Sequence, residues 1–369
     1  MPFLEPLHKV MNRGDLSAAE AHSAMQLILR GEVTTPRLAA FLAALRVKGE
    51  TAAELEGFAR AMRAGCVRID HGITAEPVLD VVGTGGDLHN TINVSTFASF
   101  VAAAAGVRVA KHGNRSISSR CGSADVLEAL GARVDLAPER VAACIRELGI
   151  GFLFAPLLHP AMKHAMPARQ ELKARTVFNL LGPLCNPAGA TVQVVGAPSA
   201  DMARLMAEAL AALGLPYGFV VHGEDGLDEV SITTTTVAYE IRAGVVTRQS
   251  LLPEEFGFAR APLEALRGGD AAHNAARLRA IFGGESGPQR DFVLANAALA
   301  IYAARRAAHL SAAFPPSASS PAQSASTAIG PDSALNPSAL SEAARLAAIA
   351  IDSGAALDKL NRFIEFTNR

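Results

Sequence analysis

Residues 78–96 read VLDVVGTGGDLHNTINVST, and this stretch is the most informative about the fold. The apolar run VLDVV is followed by a glycine turn at 83–87, and NVST at 93–96 then opens the apolar stretch FASFVAAAAG. The pattern predicts a buried strand, a tight loop and a helix. Glycines let backbone amides approach an anion, and a helix N-terminus adds unpaired N–H groups and partial positive charge. The stretch therefore predicts a phosphate cradle.

The glycine turn matches neither of two common nucleotide-binding signatures. A Walker loop needs G-x-x-x-x-G-K-[ST], and a dinucleotide fingerprint needs G-x-G-x-x-G. Neither spacing occurs at 83–87. A lone G-x-G-G is more often an ordinary tight turn. The prediction of an anion site therefore depends on the residues of the neighbouring loops.

Short β-like runs alternate with helical stretches after the glycine turn. They read VRVA at 107–110, IGFLFA at 150–155, TVQVVGA at 191–197, YGFVVHG at 217–223 and DEVSI at 228–232. Such alternation predicts parallel pairing, since each crossover needs a helix. We expect one large α/β domain over residues 73–369, with a mostly parallel central sheet.

The N-terminal residues read as consecutive helices. Ser17-x-x-Glu20 and Thr51-x-x-Glu54 are capping boxes, each followed by apolar residues at helical spacing. We expect a small all-helical N-terminal domain over residues 1–72.

Composition limits the classes of function. The chain has 369 residues, 50% hydrophobic and 19% charged, with a formal net charge of −1, which excludes a disordered chain and a generally basic surface for nucleic acid. The four cysteines form no C-x-x-C pair, so neither a zinc nor a redox site is predicted.

Neither a signal peptide nor an uncharged membrane-length window occurs, so we expect a cytoplasmic protein without a membrane partner. Trp is absent, which leaves the core to Ala, Leu and Val.

One segment differs in composition from the rest. Residues 311–340 are rich in Ser, Ala and Pro and almost uncharged, and they separate two helical stretches. We interpret them as a flexible surface insert, with a lid over the site as the alternative.

Two further loops carry chemistry. KHGNRSISSRCGSAD at 111–125 follows the second strand and offers cations, hydroxyls and glycine amides, as a phosphorylated sugar requires. HGEDGLDE at 222–229 offers adjacent carboxylates, which suit Mg²⁺ shared with substrate phosphates. Ligands of open α/β sheets bind at the carboxyl ends of the strands, where all three loops are expected. Together they predict a metal-diphosphate site.

These motifs, with FLFAPLLHPAMK at 152–163, RTVFNLLGPLCNPA at 175–188 and LRVKGETAAELEGFARAMR at 45–63, resemble the anthranilate phosphoribosyltransferases of tryptophan biosynthesis. The resemblance spans nearly the whole chain except the insert. It implies the nucleoside phosphorylase and phosphoribosyltransferase type of fold, a helical domain completed by residues 173–187, and a homodimer formed through that domain. It also implies transfer of the phosphoribosyl group from 5-phosphoribosyl-1-diphosphate to the amine of anthranilate.

The resemblance implies specific site residues. Phosphoribosyl diphosphate would contact Gly83, Gly86, Asp87, Thr91, Asn93, Val94, Ser95, Thr96, Lys111, His112, Gly113, Asn114, Arg115, Ser116, Ile117, Ser118, Ser119 and Ser123. Anthranilate would contact Gly83, His112, Asn114 and Arg169, where a guanidinium suits its carboxylate. Ser95, Asp228 and Glu229 would hold Mg²⁺, with two ions per subunit. No general base is assigned. His112 is the nearest candidate, although a hydrogen-bonding or packing role is the favoured interpretation.

Three residues depart from the family pattern, and two other readings stay open. Cys121 and Cys185 are unusual, and Lys173 stands where the family commonly has Gly. A pyrimidine-nucleoside phosphorylase would share the fold, but the acidic pair 228–229 favours anthranilate. A non-catalytic homologue that binds nucleic acid conflicts with the balanced charge.

Overall fold

The computed structural model describes residues 3–85, 89–116, 120–313 and 335–369. The chain begins with four helices, α1 (Leu4–Met11), α2 (Ala18–Leu29), α3 (Thr35–Lys48) and α4 (Ala52–Ala64). Both predicted capping boxes are present: in the first, Ser17 Oγ accepts from the Glu20 amide at 3.2 Å, and Glu20 Oε2 accepts from the Ser17 amide at 2.7 Å. These caps fix where α2 and α4 start, because they satisfy amides that have no helical partner.

A mixed sheet follows. Its strands are β1 (Val78–Gly83), β2 (Arg108–Gly113), β3 (Ile150–Phe154), β4 (Val192–Gly196), β5 (Tyr217–Gly223), β6 (Thr236–Arg242) and β7 (Val245–Leu251). The order is β3-β2-β1-β4-β5-β6-β7, parallel from β3 to β5 and antiparallel in the last two pairs. The predicted fold class, a mostly parallel sheet beside a small helical region, is confirmed.

Two predictions about strands were wrong or incomplete. Residues 228–232 were expected to form a strand, but they are irregular. The Asn296 side chain accepts from the Val230 amide at 3.0 Å and donates to the Val230 carbonyl at 2.9 Å, so this peptide bonds to a helix rather than to a strand. The hairpin of β6 and β7 was missed because its turn residues are Ala243 and Gly244, with φ of 49° and 83°, instead of the usual Asn-Gly.

Helices cover both faces of the sheet. They are α5 (Val94–Ala104), α6 (Ser123–Ala129), α7 (Pro138–Leu148), α8 (Ala155–Leu158), α9 (Met166–Leu172), α10 (Phe178–Leu184), α11 (Ala200–Ala212), α12 (Ala271–Phe282), α13 (Pro288–Ala313), α14 (Pro337–Asp352) and α15 (Ala355–Asn368). The compositional insert is therefore shorter than expected, because 311–313 and 337–340 are helical and Leu340 is fully buried; residues 314–334 lie outside the described part of the chain.

Two large apolar clusters lie on opposite sides of the sheet. Val81 packs with α5 and α13 to α15 on one face, and Val82 packs on the other face with the first four helices and α9 to α11. Successive strand residues point to opposite faces, so neighbours in the sequence join different cores. Many buried residues of α13 are alanines, and their small side chains let neighbouring helices approach closely. The core is therefore closely packed although the chain has no Trp.

The strand order reverses between β1 and β4. The chain moves outward from β1 to β3 on one side, then returns to β4 and moves outward on the other. Loops after β1 and β4 therefore diverge and leave a crevice at their carboxyl ends. No helix within the described residues is both long and apolar enough to cross a membrane.

Candidate active site

The acidic loop, residues 222–229, packs against the ends of β1 and β4 at the crevice. A Cβ placed on Gly83 would lie 2.7 Å from Asp228 Oδ2, and one on Gly196 would lie 1.6 Å from the Asp228 carbonyl oxygen. Only glycine leaves space for the loop at these two strand ends. The acidic loop and the glycine loop, which are 143 residues apart, therefore meet in one place.

Asp228 is the residue through which these loops touch. Its carboxylate is 5% exposed, and Oδ2 accepts hydrogen bonds from the Gly85 amide at 2.6 Å and from Thr84 Oγ1 at 3.3 Å. Asp225 has a structural role instead. Its Oδ2 accepts from Ser231 Oγ at 2.6 Å, a bond that stabilises the conformation of the loop. Asp228 thus faces the glycine loop, and its neighbour Glu229 lies close enough to Lys111 for its charge to raise the pKa of that lysine.

Lys111 brings positive charge to the same place. It is 3% exposed, and its Nζ donates to the Val81 carbonyl at 2.7 Å and to Ser95 Oγ at 3.4 Å. Burial lowers the pKa of Lys111, while the charges of Asp80 and Glu229 act to raise it. We call Ser95, Lys111, Asp228 and Glu229 the phosphate side of the site.

The start of α5 lies beside Lys111. Asn93 is tied to neighbouring loops, since its side chain donates to the Cys121 carbonyl at 3.0 Å and accepts from Asn274 at 2.9 Å. Thr96 is fully buried, and its hydroxyl has no hydrogen-bond partner among the described residues. A buried hydroxyl left unpaired beside a helix N-terminus is suited to a bound anion. Val94 is buried, and Thr91 forms a β-bridge with Arg267.

The loop between β2 and α6 is held mainly by its own hydrogen bonds. Asn114 and Ser123 bond through main-chain and hydroxyl atoms at 3.2 Å, and Asp125 Oδ2 accepts from the Ser116 amide at 3.0 Å. A Cβ on Gly113 would lie 2.3 Å from Ser123 Oγ, so this close approach also needs glycine. Contacts within the chain thus hold the described residues at the two ends of this loop.

Arg115 belongs to that loop but is paired elsewhere. Its guanidinium bonds Glu128, with Nη2 at 2.7 Å from Oε1, and lies 5.3 Å from the Phe154 ring centre; half of the side chain is exposed. Arg115 would have to leave Glu128 to contact a phosphate. The predicted contacts Gly86, Asp87, Ile117, Ser118 and Ser119 lie outside the described residues.

His112 follows Lys111 on β2 and points to the opposite face. Its Nδ1 lies 3.1 Å from the Gly182 carbonyl, while its buried Nε2 has no partner among the described residues. Burial, helped by the nearby His159, lowers the pKa of His112 to about 3. The ring is therefore neutral near pH 7. Because a carbonyl can only accept, Nδ1 carries the proton, and Nε2 is left as an acceptor.

His159 is a residue that the sequence reasoning missed. It lies just beyond β3, its ring centre is 5.2 Å from that of His112, and its Nε2 is also buried without a described partner. Burial lowers its pKa to about 4. The position was visible within FLFAPLLHPAMK, just past a predicted strand end, but no local signal marked it as part of a pair.

Arg169 and α10 complete this second face. Arg169 lies on α9 with its guanidinium carbon 5.4 Å from the Phe178 ring centre, and it forms no ion pair with any described residue. Burial lowers its pKa. Beyond the neighbouring residues and backbone of its own helix, no described atom lies within 4 Å of the position that a Cβ on Gly182 would take. We call His112, His159, Arg169 and Gly182 the histidine side of the site.

Arg175 links the two sides and was also missed. Its Nη2 donates to the Gly85 carbonyl at 2.7 Å, so the segment that leads into α10 is tied to the glycine loop.

The three residues that depart from the family pattern fit into the fold. Cys121 and Cys185 are buried, and Lys173 takes a left-handed conformation with φ of 46° at the end of α9.

The phosphate side can hold a divalent cation if the substrate completes the coordination. It offers two carboxylates and a hydroxyl, the oxygen donors that Mg²⁺ prefers, and Mg²⁺ usually keeps several waters or phosphate oxygens. No group of three or more His, Cys, Asp or Glu side chains suited to a metal is found in the described ranges. The donor set therefore fits a cation that arrives with a diphosphate, rather than a closed structural site.

Known proteins match this chain over its whole length. Residues 75–357 match the family described as "Glycosyl transferase family, a/b domain", and residues 5–66 match "Glycosyl transferase family, helical bundle domain". An anthranilate phosphoribosyltransferase of Solibacter usitatus is 57% identical over 83% of this chain and 90% of its own length. The crystal structure of that enzyme from Thermus thermophilus is 43% identical, with a TM-score of 0.84 over 99% of both chains.

The Saccharomyces cerevisiae anthranilate phosphoribosyltransferase, solved in complex with PRPP and Mg, is 27% identical. Its TM-score is 0.83 over 99% of this chain and 98% of the yeast chain. The same yeast protein has also been solved in complex with 4-fluoroanthranilate, at 26% identity and a TM-score of 0.81 over 99% of this chain and 97% of that one.

Proposed function

The chain belongs to the anthranilate phosphoribosyltransferase family, and from that premise we propose that it transfers the 5-phosphoribosyl group of 5-phosphoribosyl-1-diphosphate to the amine of anthranilate. The products are N-(5-phosphoribosyl)anthranilate and diphosphate. The relatives support this reading and neither alternative, phosphorylase or nucleic-acid binder. The reaction belongs to tryptophan biosynthesis, and we place it in the cytoplasm.

One observation carries the proposal. Lys111 and His112 are consecutive on β2 and end on opposite faces, one beside Ser95 and the other beside Gly182. Side chains of a strand alternate, so one strand end serves two different ligands. A charged phosphate side and an uncharged imidazole pair, at the same strand end, suit a polyanionic donor and an aromatic amine.

On the phosphate side, the residues act on the leaving group. We propose that Ser95, Asp228 and Glu229 hold two Mg²⁺ ions together with the diphosphate. When bound, Mg²⁺ neutralises the negative charge that develops on diphosphate as the C1–O bond breaks. Lys111 and the amides of the glycine loop add fixed positive charge in a buried place, where such charge is most effective.

On the histidine side, the residues orient the acceptor. We propose that Arg169 binds the anthranilate carboxylate and that Gly83 and Asn114 line the same pocket. His112 Nε2, a bare acceptor, takes a hydrogen bond from the amine and turns its lone pair toward C1. A pKa of about 3 makes His112 a weak base. It therefore orients the amine, and after the N–C1 bond forms the alkylated amine loses its proton to diphosphate or water.

The remaining predicted contacts complete the donor site. We propose that Thr91, Asn93, Val94, Thr96, His112, Gly113, Asn114, Arg115, Ser116 and Ser123 bind phosphoribosyl diphosphate, along with Gly83 and the predicted residues outside the described ranges.

We also propose two domains, 1–72 completed by 173–187 and 73–369, and a homodimer through the helical domain. The shared apolar cluster of the first four helices with α10 supports the division. Exposed Met11 and Val47, on α1 and α3, support an intersubunit contact.

The direct test is the loss of anthranilate fluorescence when purified protein is mixed with anthranilate, Mg²⁺ and phosphoribosyl diphosphate. We expect rapid loss, none without Mg²⁺, and none when inorganic phosphate and a pyrimidine nucleoside replace the donor. Folded protein that leaves anthranilate unconsumed refutes the proposal. Cleavage of the nucleoside by phosphate instead identifies a phosphorylase.

A further inference from the structure

Residues 182–188 supply the carbonyl that holds His112 and lie beside His159, and we call them the carbonyl segment. The Gly182 carbonyl accepts from His112 Nδ1 at 3.1 Å, and the Cys185 main chain lies close enough to His159 to act on the pKa of that ring, raising it against the effect of burial. His112 is held through Nδ1, and Nε2 of each ring has no described partner. The orientation of His112 therefore follows the position of the carbonyl segment, and His159 lies beside the same segment.

Asn186 attaches the carbonyl segment to the central sheet. Its Nδ2 donates to Asp80 Oδ2 and to the Ala110 carbonyl, both at 2.8 Å, and its Oδ1 accepts from the Ala188 amide at 2.8 Å. Asn186 is only 8% exposed. One side chain thus joins the segment to β1 and β2 and also bonds the Ala188 amide within the segment.

Gln193 on β4 makes a second attachment. Its Nε2 donates to the Pro183 carbonyl at 2.9 Å, next to the carbonyl that holds His112, and its side chain also bonds Asp80. Gln193 is 1% exposed. The segment is therefore held at Pro183 and at Asn186, and both attachments lead to Asp80.

Asp80 also bonds the histidine residue directly. Asp80 Oδ1 accepts from the His112 amide at 3.0 Å, and the carboxylate is fully buried with no Lys or Arg at ion-pair distance among the described residues. Burying a carboxylate is costly, and an apolar residue would suffice for packing. A carboxylate differs from an amide in that it only accepts, so it can receive donors from β2, β4 and the carbonyl segment at once.

We propose that Asp80, with Asn186 and Gln193, positions His112 for the acceptor: the network fixes the carbonyl segment, and the segment fixes the ring orientation and the Nδ1–H form of His112. All three side chains are buried, so they act through His112. The role in acceptor binding rests on the proposed function, whereas the role in fixing His112 does not.

Two variants test the network from different ends. Asp80→Asn keeps the shape but presents an amide donor to the Asn186 amide donor, and Gln193→Met removes the bond to Pro183. Thr367→Val is the matched control, because Thr367 is 2% exposed, accepts from the Arg133 amide at 3.2 Å and lies on the distant α15. All are first checked for folding by circular dichroism and thermal unfolding.

Nitrogen-15 NMR of the imidazoles, without substrate and with His112 assigned from a His112→Asn sample, reports the protonated nitrogen. We expect one Nδ1–H form in the parent and the control, and a mixture of Nδ1–H and Nε2–H forms in both network variants. For Gln193→Met, we also expect the KM for anthranilate to rise roughly tenfold, the cost of about one misplaced hydrogen bond, with the KM for phosphoribosyl diphosphate within about twofold. The KM test uses Gln193→Met alone, because the charge of Asp80 also acts on Lys111.

An unchanged His112 form in either folded network variant overturns the proposal, as does an equal rise in both KM values of Gln193→Met. If Asp80→Asn does not fold, Gln193→Met alone decides. If the parent protein consumes no anthranilate, the proposed function fails, but the substrate-free NMR result still decides whether the network fixes His112.

Discussion

The phosphate side and the histidine side lie at the end of the same strand, yet they are built in different ways. On the phosphate side, Lys111 is buried and bonds Ser95, and the charges of Asp80 and Glu229 act to raise its pKa. On the histidine side, His112 and His159 are neutral, and a main-chain carbonyl holds His112. The first side works with charge and the second with orientation. This difference matches what breaking a bond to diphosphate and aligning a weakly basic amine each require.

The comparison predicts the largest effect for charge removed from the phosphate side. Asp228→Asn combined with Glu229→Gln should lower kcat by roughly 1,000-fold or more, because both carboxylates proposed to hold the metal are lost. The measurement is steady-state turnover, with circular dichroism to show that the fold persists.

Glu224→Gln is the matched control, since Glu224 is an exposed acid of the same loop. Its turnover should stay within about twofold of the parent, as is typical of surface substitutions away from the site. Near-normal turnover of the double variant would show that this pair does not hold the metal.

On the histidine side, the loss of one contact should be smaller and specific. Arg169→Gln should raise the KM for anthranilate roughly 10- to 100-fold, since a hydrogen bond to a charged group contributes about 1.5–3 kcal/mol. The KM for phosphoribosyl diphosphate should not change. Lys163→Gln, an exposed cation on the neighbouring turn, is the control. A rise in both KM values for Arg169→Gln would mean that the two sides are not separate.

The neutral histidines should make stability depend on pH. His159 has a folded pKa of about 4, below its usual value of 6.5, so the unfolded chain binds more protons between these values. Its contribution is present above pH 6.5 and is lost as the pH falls toward 4. From pH 7 to pH 5, His159 should remove about 2 kcal/mol from the free energy of unfolding.

This pH effect is measured as a difference between proteins. Urea unfolding of the parent and of His159→Gln at pH 7 and pH 5 isolates the histidine, because Asp80, whose pKa burial raises to about 6, acts in the opposite direction in both. The variant should lose less stability on acidification than the parent. Equal losses would contradict a buried neutral His159.

The smallest effect is expected at the end of α9, which carries Arg169. Lys173 has φ of 46°, a conformation that costs a residue with a Cβ about 1–2 kcal/mol. Lys173→Gly should therefore raise the free energy of unfolding by up to about 1 kcal/mol after the entropy of glycine is counted. Thermal unfolding measures this gain, and a clear loss of stability would show that the Lys173 side chain makes a necessary contact.

The phosphate side was the more predictable of the two from sequence. Glycine turns, a Lys after a strand and adjacent acids are local signals, and their meaning follows from where strands end. The histidine side depends on contacts such as that of His112 with Gly182, 70 residues apart, and of Asn186 with Asp80, 106 apart. No local pattern announces such pairs, which is why His159 was missed.

Residues 228–232 show the limit of sequence patterns for secondary structure, since Asn296 takes up the main-chain bonds that a strand would have made. A side chain arriving from elsewhere in the fold changed that outcome. On the loop after β2, Arg115 is paired with Glu128, and its contact with phosphate stays a prediction.

The parallel sheet, the helical N-terminal region and the loops at the strand ends are predictable from local patterns, because periodicity, caps and glycine turns act over a few residues. The different neighbours of Lys111 and His112 on opposite faces, and the buried Asp80 carboxylate that bonds the His112 amide, depend on the packing of distant segments. Protonation and hydrogen-bond direction are set by burial and by partners far away along the chain. Those are properties of the packed molecule.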